Sequence, residues 1–121
     1  MYVTPVERLL HAIEQVTEVP VATLVPTRPP SLFIRLDAGS SRASTVTTDE
    51  TLIAVQVYGK DQDEVIDTLG FMRFFLLDEV YVRNRKIVWW DEEAGPHEFP
   101  DPDGTDFFRW QLTGNLTTTL T

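Results

Sequence analysis

The sequence contains no cysteine, which removes disulfide staples, thiolate zinc sites and thiol nucleophiles together. Histidine is scarce: His11 and His97 sit at unrelated points, so no His-x-x-x-His or Glu-x-x-His ligand spacing exists. Long apolar runs are missing as well. Phe74–Leu77 and Leu52–Tyr58 fall far short of the roughly 20 residues that cross a bilayer. No basic stretch followed by an apolar one opens the chain, so the expectation is a protein made and kept in a cytoplasm. There is no P-loop, no Gly-x-Gly-x-x-Gly and no Gly-x-Ser-x-Gly elbow, which leaves phosphate cradling and serine hydrolysis without a motif. Positive charge is short too, with 10 Lys and Arg against 19 Asp and Glu and a net charge of -9. That balance argues against phosphate-backbone binding as the main activity, because such binding rests on cations releasing counterions.

What is present fits one domain, residues 1–121, with an apolar fraction of 42% that supports a real core. Thr4-Pro5-Val6-Glu7 reads as a helix start, with a capping hydroxyl, proline at the first helical position and an acid three residues beyond the cap. Val6, Leu9, Leu10, Ile13 and Val16 then recur at helical spacing. Val21–Val25 is short enough for a strand, and Pro26–Pro30 forms a stiff linker. Ser31–Asp37 and Thr51–Gly59 alternate as strands, whereas Ala38–Thr48, small and rich in Gly, Ser and Thr, reads as a mobile loop. Asp61 opens a second helix with a buried stripe of Val65, Leu69, Met72 and Leu76, and Phe71, Phe74 and Phe75 widen the apolar surface, read as further core with a subunit contact as the alternative. Lys86–Asp91 and Phe107–Leu120 supply the last strands, separated by a Gly95-Pro96 turn and a rigid acidic loop, Pro100–Gly104. The fold class is therefore α+β: a mixed, largely antiparallel sheet of four to five strands flanked by two main helices.

Chemistry-bearing constellations are thin. Asp101, Asp103 and Asp106 with Gly104 look like a fragment of a calcium loop, but Pro102 stands in a position that needs flexibility and the terminal Glu is missing. Paired carboxylates such as Asp91 and Glu93 could do acid–base work, yet in an acidic strand end they read as solvated charges. The expectation is a protein without catalytic residues, metal or cofactor. Aromatics offer a different route. Phe33, Tyr58 and Trp90 lie on faces that simple alternation does not assign to the main core, and aromatic and Arg side chains are the usual anchors of protein interfaces. Charge is also segregated: Asp91 to Asp106 carries only acids, while Arg28, Arg35 and Arg42 face only Asp37. Such a chain can meet a second copy head to tail, so the candidate interface is Arg28, Phe33, Arg35, Arg42, Trp90, Asp101, Asp103 and Arg109.

The order of segments carries a resemblance. A leading helix, then Arg28-Pro29-Pro30-Ser31-Leu32-Phe33-Ile34-Arg35, a Gly/Ser loop, Thr48-Asp49, and the strand Leu52–Gly59 precede a second helix. The chain then runs Gly95-Pro96-His97-Glu98-Phe99-Pro100-Asp101-Pro102-Asp103-Gly104 and Phe108-Arg109-Trp110-Gln111-Leu112-Thr113. Over nearly its whole length this resembles the tail terminator (minor tail, or head–tail joining) proteins of long-tailed, lambda-like phages. The single glycine of the loop, Gly39, and the bulky aromatics of the second helix depart from that pattern. The resemblance implies a hexameric ring in the virion that caps the head-proximal end of the tail tube and presents a face to the head completion protein. DNA would pass through an acidic lumen without specific binding. A neck protein of related fold, or a small metal-binding or hydrolytic domain, is the alternative reading.

Overall fold

A computed structural model describes residues 2–100 and 106–120. The first helix, α1, spans Pro5–Glu14; Thr4 caps it by accepting from the Glu7 amide at 3.3 Å, and its hydroxyl donates to the Glu7 carboxylate at 2.9 Å. Leu9, Ala12 and Ile13 are its buried face, as the apolar spacing requires. The strands are β1 (Val21–Ala22), β2 (Leu32–Ala43), β3 (Thr48–Gly59), β4 (Ile87–Glu98) and β5 (Phe108–Thr119), in the sheet order β1-β2-β3-β5-β4. Only the β1–β2 pair is parallel; the other neighbours run antiparallel. The chain is thus α+β, with a mixed, mostly antiparallel sheet.

The second helix, α2 (Gln62–Phe74), is capped by the Asp61 carboxylate, which accepts from the Asp63 amide at 3.0 Å. It runs through one wide π-turn, Phe75–Glu79, into α3, Val80–Arg83. The turn inserts one residue into the helical winding, and Phe75, Leu76 and Val80 all remain buried across it. From β3 the chain crosses over by way of α2 and α3 to β4, outside β5, and then returns to fill the gap with β5. This is a split β-α-β unit with an antiparallel strand inserted.

Both helices pack on one face of the sheet. The core there joins Leu9, Ile13, Val65, Leu69, Met72 and Phe75 to Ile34, Leu36, Ile53, Val55, Val57, Leu112 and Leu116. Trp90 completes it from β4, and Gly114 on the neighbouring strand makes the room. A Cβ at residue 114 would lie 2.4 Å from the Trp90 ring and 2.7 Å from the Asp91 carbonyl, closer than any side chain tolerates.

Three expectations are corrected. Residues 38–48 are not a loop: β2 continues to Ala43, pairs with β3 down to Asp49, and leaves only a tight reversal at 44–47. Gly95-Pro96 is not a turn between strands but lies inside β4, where the register slips between Ala94 and His97. An edge strand accepts proline there, because the missing N–H would face solvent. Of the phenylalanines expected to widen the core of α2, only Phe75 is enclosed; Phe71 and Phe74 are exposed.

Candidate functional site

The other face of the sheet carries no helix among the described residues, and its side chains stand in rows across β2, β3 and β5. Phe33, Tyr58 and Arg109 form the first row, Arg35, Gln56 and Gln111 the second, and Asp37, Ala54 and Thr113 the third. Leu52 and Asn115 follow in the next register. Alternation along a strand puts every second residue on this side, so one row per two residues is the spacing to expect.

The first row is closed by stacking and by one guanidinium. The Phe33 and Tyr58 rings lie parallel with centroids 4.7 Å apart, and Phe107 meets Phe33 edge-on at 5.9 Å. Arg109 donates from Nε to the Phe99 carbonyl at 2.6 Å, from Nη2 to the Pro100 carbonyl at 3.0 Å, and from Nη1 to the Tyr58 hydroxyl at 3.1 Å. Its guanidinium also lies 4.4 Å from the Phe99 ring centroid, within cation–π range. Arg109 thereby fastens the chain that leaves β4 down onto the sheet.

The second row is a polar ladder. Gln56 Oε1 accepts from Arg35 Nη1 at 3.1 Å and from the Tyr58 hydroxyl at 3.3 Å, while Gln56 Nε2 donates to Gln111 Oε1 at 3.1 Å. Arg35 also lies 3.7 Å from Asp37. Its Nε is buried without an acceptor among the described residues. Beyond the ladder the side chains shorten, and a shallow depression of about 260 Å³ opens between Asp37, Ala38, Gly39, Leu52, Ala54 and Thr113. Leu52 at its rim is 51% exposed.

The structure thus separates the residues expected at an interface. Trp90 is 2% exposed and belongs to the core, while its neighbour Trp89, 59% exposed, stacks on Tyr81 at 6.4 Å. Phe33 is enclosed by Tyr58 and Phe107, and Arg109 is spent on carbonyls of its own chain. These three are corrected from contact residues to internal ones. Arg35 is tied into the ladder. Arg42, on the exposed end of β2, lies 3.8 Å from Glu50, and Arg28 is exposed. Asp101 and Asp103, with the Pro102–Gly104 part of the suggested calcium loop, lie outside the described residues. Asp106 pairs with Lys60 at 3.7 Å.

The acidic segment is likewise partly neutralised within the chain. Glu92 takes a bidentate pair from Arg73 on α2, at 2.8 and 2.9 Å, and Glu93 accepts from Asn115 at 2.8 Å. The Glu92 carboxylate holds the Arg73 guanidinium above its ordinary pKa. At the far end of the sheet, the Tyr2 hydroxyl donates to the buried Asp49 carboxylate at 2.8 Å. That hydrogen bond, with some burial, raises the phenol above its ordinary 10.0. No cluster of His, Asp and Glu able to hold a metal occurs among the described residues.

What sequence reasoning missed is the depression around Leu52 and Ala54. The signal available was the outward half of the β3 alternation, where Leu52 and Ala54 stand on the side opposite Ile53 and Val55. No family model matches the chain, and no curated protein matches it either.

Proposed function

We propose that this chain is a structural protein of a long-tailed phage virion, a tail terminator that caps the head-proximal end of the tail tube. In this reading six copies of the chain close into a ring, and the ring halts tube growth and offers a face to the head completion protein. The observation that carries the reading is the sheet face without a helix, where Leu52, Ala54 and Thr113 border a shallow depression next to a fixed polar ladder. A small protein of 121 residues gains nothing for its own fold by leaving Leu52 in water, and exposed apolar rims beside ordered polar groups are how protein interfaces are built. The ring contact proposed from the sequence narrows to Arg28, together with the exposed Arg42 that Glu50 holds only at 3.8 Å, against the exposed Asp91 and Glu98 of the next copy, because Arg35 and Glu92 are already hydrogen-bonded internally.

The experiment is to add the protein to polymerising tail tube protein and image the products by electron microscopy. Ring-shaped caps on one tube end, lost with Leu52→Asp while the melting temperature holds, support the reading. Tubes of unaltered length with bare ends, at concentrations where the protein is folded, overturn it.

A further inference from the structure

Beyond Ala22 the outer side of β2 has no strand beside it among the described residues. β1 pairs only with Ile34 and Arg35, whereas β2 runs on to Ala43, and Asp37 to Ala43 are all exposed. The Lys60 amide donates to the Ser31 carbonyl at 3.1 Å, and the Ile34 amide turns the other way, to the Pro20 carbonyl at 2.8 Å. Inward and outward residues alternate along an antiparallel ladder, so Ala38 points its amide and carbonyl outward. The register slips between Ala38 and Ser41, which moves the phase by one. Beyond the slip the Ser44 amide donates to the Thr48 carbonyl at 3.0 Å, and this leaves Ser41 and Ala43 outward. The opposite edge of the sheet is blunted: β4 breaks register three times and carries Pro96. Residues 37 to 43 hold neither proline nor lysine.

The depression of the open face reaches this edge. Asp37, Ala38 and Gly39 line it from β2, and Leu52 and Ala54 from β3. Nothing within the chain requires the glycine, since a Cβ at residue 39 would meet only the Leu52 carbonyl, at an ordinary 3.7 Å. With no side chain there, the way from the free edge into the depression stays open, as where another chain approaches closely. Two charges flank it on the same face. Asp37 lies 3.7 Å from Arg35 and Arg42 lies 3.8 Å from Glu50, and both side chains remain largely exposed.

We infer that the β2 edge takes up an extended segment of another protein as an added, antiparallel strand. The backbone of that segment bonds to Ala38, Ser41 and Ala43. Its alternate side chains run acid, apolar, base, opposite Arg42, Gly39 with Ser40, and Asp37. β3 shows the spacing from the other side, where Glu50 pairs with Arg42, Ala54 pairs with Asp37, and Leu52 stands between them. The apolar residue covers Leu52 and fills the depression, and it selects the occupant. Two β2 edges of this chain would also set Asp37 against Arg42, but they would bring Gly39 and Ser40 together and leave Leu52 in water. The inference shares the depression and Arg42 with the tail-terminator reading and goes beyond it, since one copy of the chain can take up a strand with no ring and no tube.

Titrating the end-blocked peptide Thr-Glu-Thr-Leu-Thr-Lys-Thr into the isotope-labelled full chain tests it by nuclear magnetic resonance. The expected result is saturable movement of the Ala38, Ser41 and Ala43 amide signals, with a Kd of about 1 mM or tighter. Replacing the peptide's leucine by aspartate weakens binding more than tenfold. Ala38→Pro removes the outward N–H and no bond of the β3 ladder, so it also weakens binding more than tenfold while the melting temperature holds. Gly39→Val closes the depression and does the same without touching the backbone donors. Signals that stay still at about 5 mM peptide, movement confined to other parts of the chain, or equal binding by the aspartate peptide or by either variant overturns the inference. So does a two-chain species in sedimentation that Ala38→Pro dissolves, because the edge then belongs to a second copy.

Discussion

The helix-covered face of the sheet is held by apolar burial, with Ile53, Val55, Leu112 and Trp90 against Leu69, Met72 and Phe75. The open face is held by directional bonds: the Gln56–Gln111 ladder, the Phe33–Tyr58 stack and the Arg109 clamp. The first is cheap to keep because water gains by leaving it. The second holds its geometry only while each donor keeps its acceptor, since an orphaned buried group costs more than a formed bond returns. One face therefore supplies stability, and the other supplies a surface of fixed shape that remains accessible.

Substitutions on the two faces should separate these roles. The largest effect is expected for Trp90→Ala, about 3–5 kcal/mol of unfolding free energy in a denaturant titration, because the cavity beside Gly114 cannot collapse. Trp89→Ala, one residue away and exposed, should cost less than about 1 kcal/mol, and equal losses at the two positions would dissolve the contrast. Arg109→Met keeps the aliphatic stem but removes three hydrogen bonds, and should cost about 2 kcal/mol. Hydrogen exchange should then speed at the Phe99 amide, which donates to the Arg109 carbonyl at 2.9 Å, while amides of the covered strands stay protected.

The smallest effect belongs to the edge of both faces. Tyr2→Phe should cost about 0.5 kcal/mol, discounted because the phenol is largely exposed. Its pKa is raised in the folded chain, so the contribution is fully present below the ordinary phenol value and is lost as pH climbs through the folded one. Chemical denaturation at rising pH reads this out: wild type and variant should differ at neutral pH, and the difference should shrink as the phenol ionises.

The parts of this architecture that could be read from the sequence are those where one physical signal acts alone. Thr4 and Asp61 announce their helices because a side-chain cap is local chemistry. The β3 strand announces itself because Ile53, Val55 and Val57 must all face the helices. The end of β2 gave no such sign: from Asp37 onward both its sides are wet, so there is no alternation to see, and backbone pairing alone makes it a strand. Trp89 and Trp90 had to point to opposite sides, but which one enters the core is decided by Gly114, on a strand twenty-odd residues away. The interface candidates suffered most, since Phe33 and Arg109 become internal only when the chain around Phe99 and Phe107 folds across them. That is tertiary information with no local trace.

The wide turn at Phe75–Glu79 fixes the phase between the two halves of the long helix. Rewinding the same residues as an even α-helix, with none removed, would swing everything after the turn by about 100°, displacing Val80 from its buried position and re-aiming Val82 and Arg83. The sequence would be the same, yet the buried residues before and after the turn would no longer share one side of the helix. The wide turn is thus what absorbs one extra residue and keeps Val65, Leu69, Met72 and Val80 buried along one helix.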